Sequence, residues 1–166
     1  MAPHPLAHAP LDSPIGRLWV GVSEAGLVSV TRGDDPDPGS FVAPALDPEL
    51  AAPAVNELSA YFAGELRALS LRLDLRGATP FDAAVWMAAR EIPYGETASY
   101  GELAAMAGRP GAARAVGNAM ARCLLSPVVP CHRVIHADGS IGGWGRDTWV
   151  KRWLLDLEAA GISSSA

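Results

Sequence analysis

The sequence predicts an α+β protein, in which a small unit of strands and one helix precedes a mainly helical unit. Three observations support this fold class: β-rich runs before residue 32, leucines at every second position over 69–75, and capped helical patterns from residue 79 onward. The 166 residues suffice for one full core or two small domains. The predicted segments are a flexible N-terminus at 1–10, domains at 11–77 and 78–160, and a disordered tail at 161–166.

The N-terminal unit is predicted to start with a β-hairpin over residues 11–32, because two β-rich runs flank a short Glu-Ala-Gly segment. Residues 34–48 are rich in Asp, Pro and Gly, which favours a loop. A helix is predicted over 48–62. The leucines over 69–75 alternate with polar residues, and this period of two predicts a half-buried strand.

The C-terminal unit is predicted to start with a helix that Thr79 caps and that ends near Pro93. Ser99 and Glu102 form a capping-box pattern at the start of a short second helix. A third helix is predicted over 112–122, after a turn that contains two glycines. Such a pair is typical of a helix-turn-helix, whose second helix enters a DNA groove, although an ordinary αα-hairpin fits the pattern equally well.

The rest of the C-terminal unit is predicted to be a series of short segments before a last helix. Residues 127–130 are expected to be extended, and 138–140 to form a turn. The last helix is predicted over 148–159, and Gly161 is expected to end it.

The two units differ in charge, although the net charge of the whole sequence is −5. Residues 1–79 carry 10 acidic and 5 basic groups, whereas residues 80–155 carry 6 acidic and 8 basic groups. The balance of +2 weakly favours an anionic partner for the second unit, and a mixed solvated surface fits as well. No export signal, zinc-ligand spacing or membrane-spanning run is evident, so we expect a cytoplasmic protein without a metal.

The residues best suited to chemistry lie in the run Pro-Cys-His-Arg-Val at positions 130–134. Cys131 and His132 place a nucleophile beside a base, and a neighbouring base promotes formation of the reactive thiolate. Taken alone, the dipeptide fits a buried and inert cysteine better than a nucleophile.

Further segments accompany the Cys-His pair: 12–16, 92–97, 99–100, 103–104, 112–117, 130–134, Lys151, 154–155 and Glu158. Taken together and in this order along the chain, they resemble the O6-alkylguanine-DNA alkyltransferases (methylated-DNA–protein-cysteine methyltransferases). The likeness covers nearly the whole chain and is densest over 80–158. It implies a ribonuclease H-like first domain and an alkyltransferase domain with a helix-turn-helix.

The resemblance implies direct-reversal DNA repair, in which Cys131 irreversibly accepts an alkyl (methyl) group from O6 of guanine or O4 of thymine. His132 would take the thiol proton through a water, and Glu158 would orient that histidine. Tyr100 and Arg114 would rotate the target nucleotide out of the duplex and fill its place. The implied partner is double-stranded DNA containing O6-alkylguanine, bound by a monomer without a cofactor.

The resemblance assigns further residues to DNA or base binding: Ala113, Gly117, Val134, Trp144, Gly145 and Arg146. Two places depart from the family. Cys123 stands where the family usually has an asparagine, eight residues before the reactive cysteine, and the pocket loop reads Trp-Gly-Arg-Asp at 144–147. Two other functions therefore stay open: a thiol alkyltransferase acting on a different or non-DNA substrate, or a lesion-binding protein that does not repair.

Overall fold

The α+β class is confirmed by a computed structural model that describes residues 7–34, 45–142 and 147–163. Backbone contacts divide the chain into two compact units, 1–77 and 78–166. The first is built on a four-stranded sheet and the second is mainly helical. Among the described residues, no helix has the length and apolar character needed to cross a membrane.

The described residues of the first unit form the strands β1 (Ala7–Ser13), β2 (Gly16–Ser23), β3 (Gly26–Arg32) and β4 (Ala45–Leu46). These strands form a sheet in the order β3-β2-β1-β4. Strand β2 is antiparallel to both β1 and β3, whereas β4 pairs in parallel with β1. The predicted hairpin is confirmed as β2 and β3.

Helix α1, Pro48–Phe62, packs against β1 and β2 and covers one face of the sheet. Asp47 caps it by accepting a hydrogen bond of 3.0 Å from the Leu50 amide. Leu58 and Tyr61 lie fully buried on its inner face, one turn apart. The predicted bounds of this helix are confirmed.

Three expectations for the first unit are wrong in part. Residues 7–10, expected to be flexible, belong to β1, where pairing on both sides outweighs the weak strand preference of Ala, His and Pro. Strand β4 interrupts the predicted loop. Residues 69–75 form a single bridge from Leu73 to Leu27 rather than a regular strand, although the leucines there are half-buried as the alternation predicted.

The second unit contains four helices and a small parallel sheet among its described residues. The predicted Thr79 cap is confirmed, because its hydroxyl accepts a hydrogen bond of 3.0 Å from the Asp82 amide. The helices are α2 (Pro80–Ala89), α3 (Tyr100–Met106), α4 (Ala113–Ala121) and α5 (Thr148–Ser163), and the strands are β5 (Ala98–Ser99) and β6 (Val134–Ile135).

The predicted capping box opens α3 as expected. The Ser99 hydroxyl accepts a hydrogen bond of 3.0 Å from the Glu102 amide, and the Glu102 carboxylate accepts one of 3.3 Å from the Ser99 amide. Gly108 and Gly111 both have φ near +80° in the turn that follows, which explains why glycine occupies these positions. Helices α3 and α4 therefore pack as a consecutive pair joined by a tight turn.

Two expectations for the end of the second unit are wrong. Residues 127–130 form turns rather than an extended stretch. Helix α5 continues through Gly161 to Ser163, so the predicted tail is helical over its first three residues, and 164–166 lie outside the described residues. The helix continues because its end is packed: a Cβ built on Gly161 would lie 2.6 Å from the Tyr94 hydroxyl.

Candidate active site

Cys131 begins a single 3-10 turn, Cys131–Arg133, which leads directly into β6. The Cys131 amide donates to the Val129 carbonyl at 2.7 Å, and the Arg133 amide donates to the Pro130 carbonyl at 2.9 Å. The Cys131 residue is only 5% exposed. The turn therefore holds the thiol in a fixed and largely dry position.

Beside the thiol, His132 and Arg133 both reach Glu158 of α5. His132 Nε2 lies 2.9 Å from Glu158 Oε1, and Arg133 Nε lies 3.0 Å from both carboxylate oxygens. Arg133 Nη1 also donates to the Ile92 carbonyl at 2.7 Å. All three side chains are buried. These contacts connect the turn to α5 and to the segment after α2.

The protonation states in this cluster suit proton transfer from a thiol. Burial favours the protonated form of Glu158, but hydrogen bonds and charges from His132 and Arg133 outweigh it and lower its pKa to about 2. Burial lowers the pKa of His132 below 6.5, although Glu158 opposes this effect. The neutral imidazole then donates from Nε2 to the carboxylate, so Nδ1 carries the lone pair that can accept a proton.

The Cys131 thiol is held in its protonated form. Its pKa is raised well above 9.0, chiefly by a hydrogen bond with the Cys123 side chain and then by burial, while the charge of Lys151 opposes the rise. A thiol in this state is a weak nucleophile at neutral pH, so its reaction requires a base.

Lys151 is a further buried charge near the thiol, in addition to Arg133 and Glu158. Its Nζ donates to the Val134 carbonyl at 2.7 Å and lies 5.9 Å from the centre of the Tyr100 ring. Burial lowers the pKa of Lys151 to about 8, and the nearby Cys131 opposes this shift. The ammonium group thus joins α5, β6 and the start of α3 around the thiol.

Among the described residues, those expected to contact DNA lie mainly on the α3–α4 pair. Tyr100 is the first residue of α3, and a Cβ built on Gly117 of α4 would lie 3.8 Å from its ring. Ala113 begins α4, and the Arg114 side chain is exposed in its first turn. The ring of the exposed His136 lies tilted against that of Tyr100, with ring centres 5.4 Å apart.

The structure thus brings some of the predicted site residues together and leaves others apart. Cys131, His132 and Glu158 belong to one buried cluster, whereas Ala113 and Arg114 lie on α4. Val134 is fully buried, and its carbonyl accepts the hydrogen bond from Lys151. Trp144, Gly145 and Arg146 lie outside the described residues.

Sequence reasoning assigned no role to Arg133 or Lys151, although both lie inside the motifs. A signal was present in α5, because Lys151, Leu154 and Glu158 recur at intervals of three and four and therefore share one helix face. Two opposite charges on the apolar stripe of a helix indicate buried charges that need partners. Arg133, adjacent to the Cys-His pair, could have been matched to Glu158 by the same argument.

Comparison with known proteins gives consistent matches along the chain. Residues 80–160 match the DNA-binding domain of 6-O-methylguanine DNA methyltransferase, and residues 6–75 match its ribonuclease-like domain. A methylated-DNA–protein-cysteine methyltransferase of Mycobacterium bovis is 46% identical over 158 residues, which cover 89% of either protein. That of Methanosarcina acetivorans is 41% identical over 157 residues, covering 92% of this chain and 98% of its own.

Solved structures agree with these sequence matches. The crystal structure of Mycobacterium tuberculosis OGT in complex with DNA matches this chain with a TM-score of 0.84 and 44% identity. The match covers 93% of this chain and 94% of that chain. Similarity therefore extends over both units.

Proposed function

We propose that this chain, which belongs to the 6-O-methylguanine DNA methyltransferase family, repairs alkylated DNA by moving the alkyl group irreversibly onto Cys131. Its membership confirms the resemblance that the motifs indicated. The curated relatives are named methylated-DNA–protein-cysteine methyltransferases, and one solved relative is bound to DNA, which supports duplex DNA as the partner. One observation carries the assignment of residues: a buried thiol directly precedes an imidazole that hydrogen-bonds a buried carboxylate.

The first step is removal of the Cys131 proton. Because the raised pKa keeps the thiol protonated, the reaction depends on the neutral His132 as base. We infer that a water carries the proton to Nδ1, since Nε2 already donates to Glu158. The imidazolium formed in this way faces the Glu158 carboxylate, which stabilises its charge.

The second step is attack of the Cys131 sulfur on the alkyl carbon attached to guanine O6. A sulfur–carbon bond forms while the carbon–O6 bond breaks, and the bonding electrons stay on the guanine, which takes up a proton. The products are unmodified guanine and a thioether, which is stable. The protein therefore reacts once, and the chemistry requires no cofactor. O4 of an alkylated thymine offers the same leaving group.

Access to the base requires extrusion, because an alkyl group on O6 is enclosed in the stacked duplex. Tyr100 would press on the target phosphate, and Arg114 would occupy the space that the nucleotide leaves. Ala113 and Gly117 support close approach of α4 to the backbone, because their side chains are small or absent. Binding through phosphates and shape has little sequence preference.

The cellular compartment can be inferred from the proposed substrate and from the reduced thiol. Cys123 and Cys131 are both free, and a thiol nucleophile needs a reducing environment. We therefore infer the cytoplasm, where a reduced thiol can meet chromosomal DNA.

The proposal is tested by incubating the protein with a duplex that contains O6-methylguanine and then measuring intact mass. We expect the gain of one methyl group, located on Cys131 by peptide mapping. Cys131→Ser should gain none, whereas Cys123→Ser, a matched loss of one thiol, should still be methylated. A methyl group on Cys123, or none on the wild-type protein, would contradict the proposal.

A further inference from the structure

The repair mechanism leaves an exposed histidine without a role. Among the described residues, His8 and His132 are buried, whereas His136 is exposed. His136 is the first residue after β6, the strand that directly follows the turn of the reactive cysteine. Histidine is the side chain that changes its charge near neutral pH, so an exposed one beside a binding surface can add a positive charge there.

The pairing of β5 with β6 places His136 beside Tyr100. The two strands are parallel, and Ser99 lies opposite Ile135. The next residue of each chain segment, Tyr100 and His136, therefore leaves the same edge of this small sheet. The two rings lie with their centres 5.4 Å apart and their planes inclined at 46°. His136 thus contacts the residue that is proposed to press on the target phosphate.

A tight turn fixes the backbone that carries the imidazole. The His136 amide donates to the Ser140 carbonyl at 2.9 Å, and the Gly139 amide donates to the His136 carbonyl at 3.0 Å. The Asp138 carboxylate accepts hydrogen bonds of 2.9 Å and 2.6 Å from the Ser140 amide and hydroxyl. Both backbone groups of His136 are therefore satisfied within the protein, while its residue is open to solvent.

Gly142 marks the place where the polar ends of the two rings meet. A Cβ built on Gly142 would lie 3.0 Å from His136 Nε2 and 3.6 Å from the Tyr100 hydroxyl oxygen. Both polar atoms therefore lie near one point, and the glycine puts no side chain between them. The hydroxyl and the protonated imidazole are both hydrogen-bond donors. Two adjacent donors, one of them able to carry a positive charge, suit a phosphate with its several acceptor oxygens.

We propose that the protonated His136 binds the DNA phosphate backbone beside Tyr100, so that binding to DNA tightens as the pH falls through the range in which histidines titrate. This inference rests on the proposed function, which supplies both the DNA and the phosphate contact of Tyr100. A phosphate contact carries no sequence information, so His136 would strengthen and orient binding on any duplex.

The other titratable groups around the two rings are Asp138, Tyr100 and Lys151. The pKa of Asp138 is lowered chiefly by its hydrogen bonds with Ser140 and less by His136, so its carboxylate is charged and favours the protonated imidazole. Burial raises the pKa of Tyr100, which keeps its hydroxyl protonated. Lys151 Nζ lies 5.9 Å from the centre of the Tyr100 ring, and its pKa of about 8 keeps it mostly charged below that pH.

The test compares the full-length wild type with His136→Gln, because glutamine keeps a hydrogen-bond donor but cannot become charged. Binding to a labelled, unmodified duplex is measured by fluorescence anisotropy at about pH 6 and about pH 7.5, within the range in which histidines titrate. At the lower pH the wild type should bind about two- to fivefold more tightly than the variant, the size of an exposed ion pair. At the higher pH this difference should largely disappear.

The salt dependence of the same binding reports the number of phosphates that are neutralised. Lowering the pH should steepen the plot of log K against log salt concentration for the wild type by up to about 0.9, the value for one phosphate. The slope for His136→Gln should not change with pH. A residue with a merely structural role would not alter this slope.

Two further variants serve as controls. His136→Arg is charged at both pH values, so it should bind tightly at both. Arg122→Gln removes a positive charge from the same unit, but Arg122 is already paired with Asp82 at 2.7 Å, so this variant should keep the pH response of the wild type. Chemical denaturation verifies that each variant is folded.

Equal pH responses of the wild type and His136→Gln would overturn the proposal, as would loss of the response in Arg122→Gln. Weaker binding by His136→Arg than by His136→Gln would also contradict a phosphate contact. Failure of the wild type to bind duplex DNA, or to accept a methyl group from O6-methylguanine DNA, would instead overturn the proposed function.

Discussion

Each unit of this protein buries a carboxylate beside an arginine, Asp74 in the first and Glu158 in the second, and these two sites differ in what surrounds the pair. In the first unit, Asp74 accepts a hydrogen bond of 2.5 Å from Ser23 and pairs with Arg76 at 2.6 Å. In the second unit, Glu158 pairs with Arg133 and also contacts His132. The Arg76 side chain is 69% exposed, whereas that of Arg133 is 8% exposed.

The comparison shows that a buried carboxylate with a depressed pKa does not by itself indicate an active site. The pKa of Asp74 is lowered mainly by the hydrogen bond from Arg76, with a further contribution from Ser23. Glu158 differs because one of its partners is a titratable imidazole next to a thiol. Function depends on the group that the carboxylate orients, rather than on the carboxylate alone.

The largest effect is expected for Glu158→Gln. The amide keeps the shape of the side chain but removes the charge that balances Arg133 and a protonated His132. We expect the single-turnover methyl transfer rate to fall about 10²-fold or more. Breaking a buried pair costs about 3–5 kcal/mol, so chemical denaturation must be measured in parallel. An unchanged rate in the folded variant would contradict the orienting role of Glu158.

The transfer rate and the stability of the protein should depend on pH through different residues, His132 and Glu158. His132 acts as a base only when neutral, and its folded pKa is lowered, so the transfer rate should decline only below pH 6.5. The folded pKa of Glu158 is about 2 against an ordinary 4.5. As the pH is lowered, Glu158 is therefore protonated in the unfolded chain before it is protonated in the folded one. The stability that the ionised Glu158 contributes is present above pH 4.5 and is lost as the pH falls toward 2.

The transfer rate and the stability can be measured on one set of samples. Single-turnover rates between pH 5 and pH 8, roughly the range in which histidines titrate, report the protonation of His132. Denaturation midpoints at acid pH report the contribution of Glu158 to stability, and Glu158→Gln should lose less stability on acidification than the wild type. A rate that declines already above pH 6.5 would contradict His132 as a neutral, buried base.

A smaller and purely structural effect is expected for Asp74→Asn. The change removes the charge that faces Arg76 and leaves Ser23 with a weaker partner, which costs about 1–3 kcal/mol of stability. Because Asp74 belongs to the first unit, the methyl transfer rate of the folded protein should not change. Single-turnover kinetics combined with urea denaturation measure both quantities. A large loss of the methyl transfer rate in fully folded Asp74→Asn would contradict the view that Asp74 has a purely structural role and Glu158 a catalytic one.

The smallest effect is expected for Gly117→Ala, which alters neither carboxylate. A Cβ at this position makes ordinary contact with the Tyr100 ring, so the helix should gain about 0.5–1 kcal/mol from the loss of glycine. We expect slightly higher stability and weaker binding to duplex DNA, because α4 would approach the backbone less closely. Denaturation and fluorescence anisotropy with labelled DNA measure these two effects. Tighter binding would contradict the proposed role of α4.

Local signals predicted the elements that depend on neighbouring residues. The cap at Thr79, the capping box at Ser99 and Glu102, and helix α1 appear where the sequence placed them. Elements that depend on distant partners were missed. Strand β1 is held by two neighbours in the sheet, and the end of α5 is held by packing on Tyr94, so neither has a local signature.

The sequence by itself determined the α+β class, the family and the Cys131-His132 pair, because motifs and caps are properties of adjacent residues. The tertiary structure decided which side chains those residues meet. Arg133 reaches Glu158 across 25 positions, and Lys151 reaches Val134 across 17. Such contacts arise because buried charges must find opposite charges or carbonyls wherever the fold supplies them.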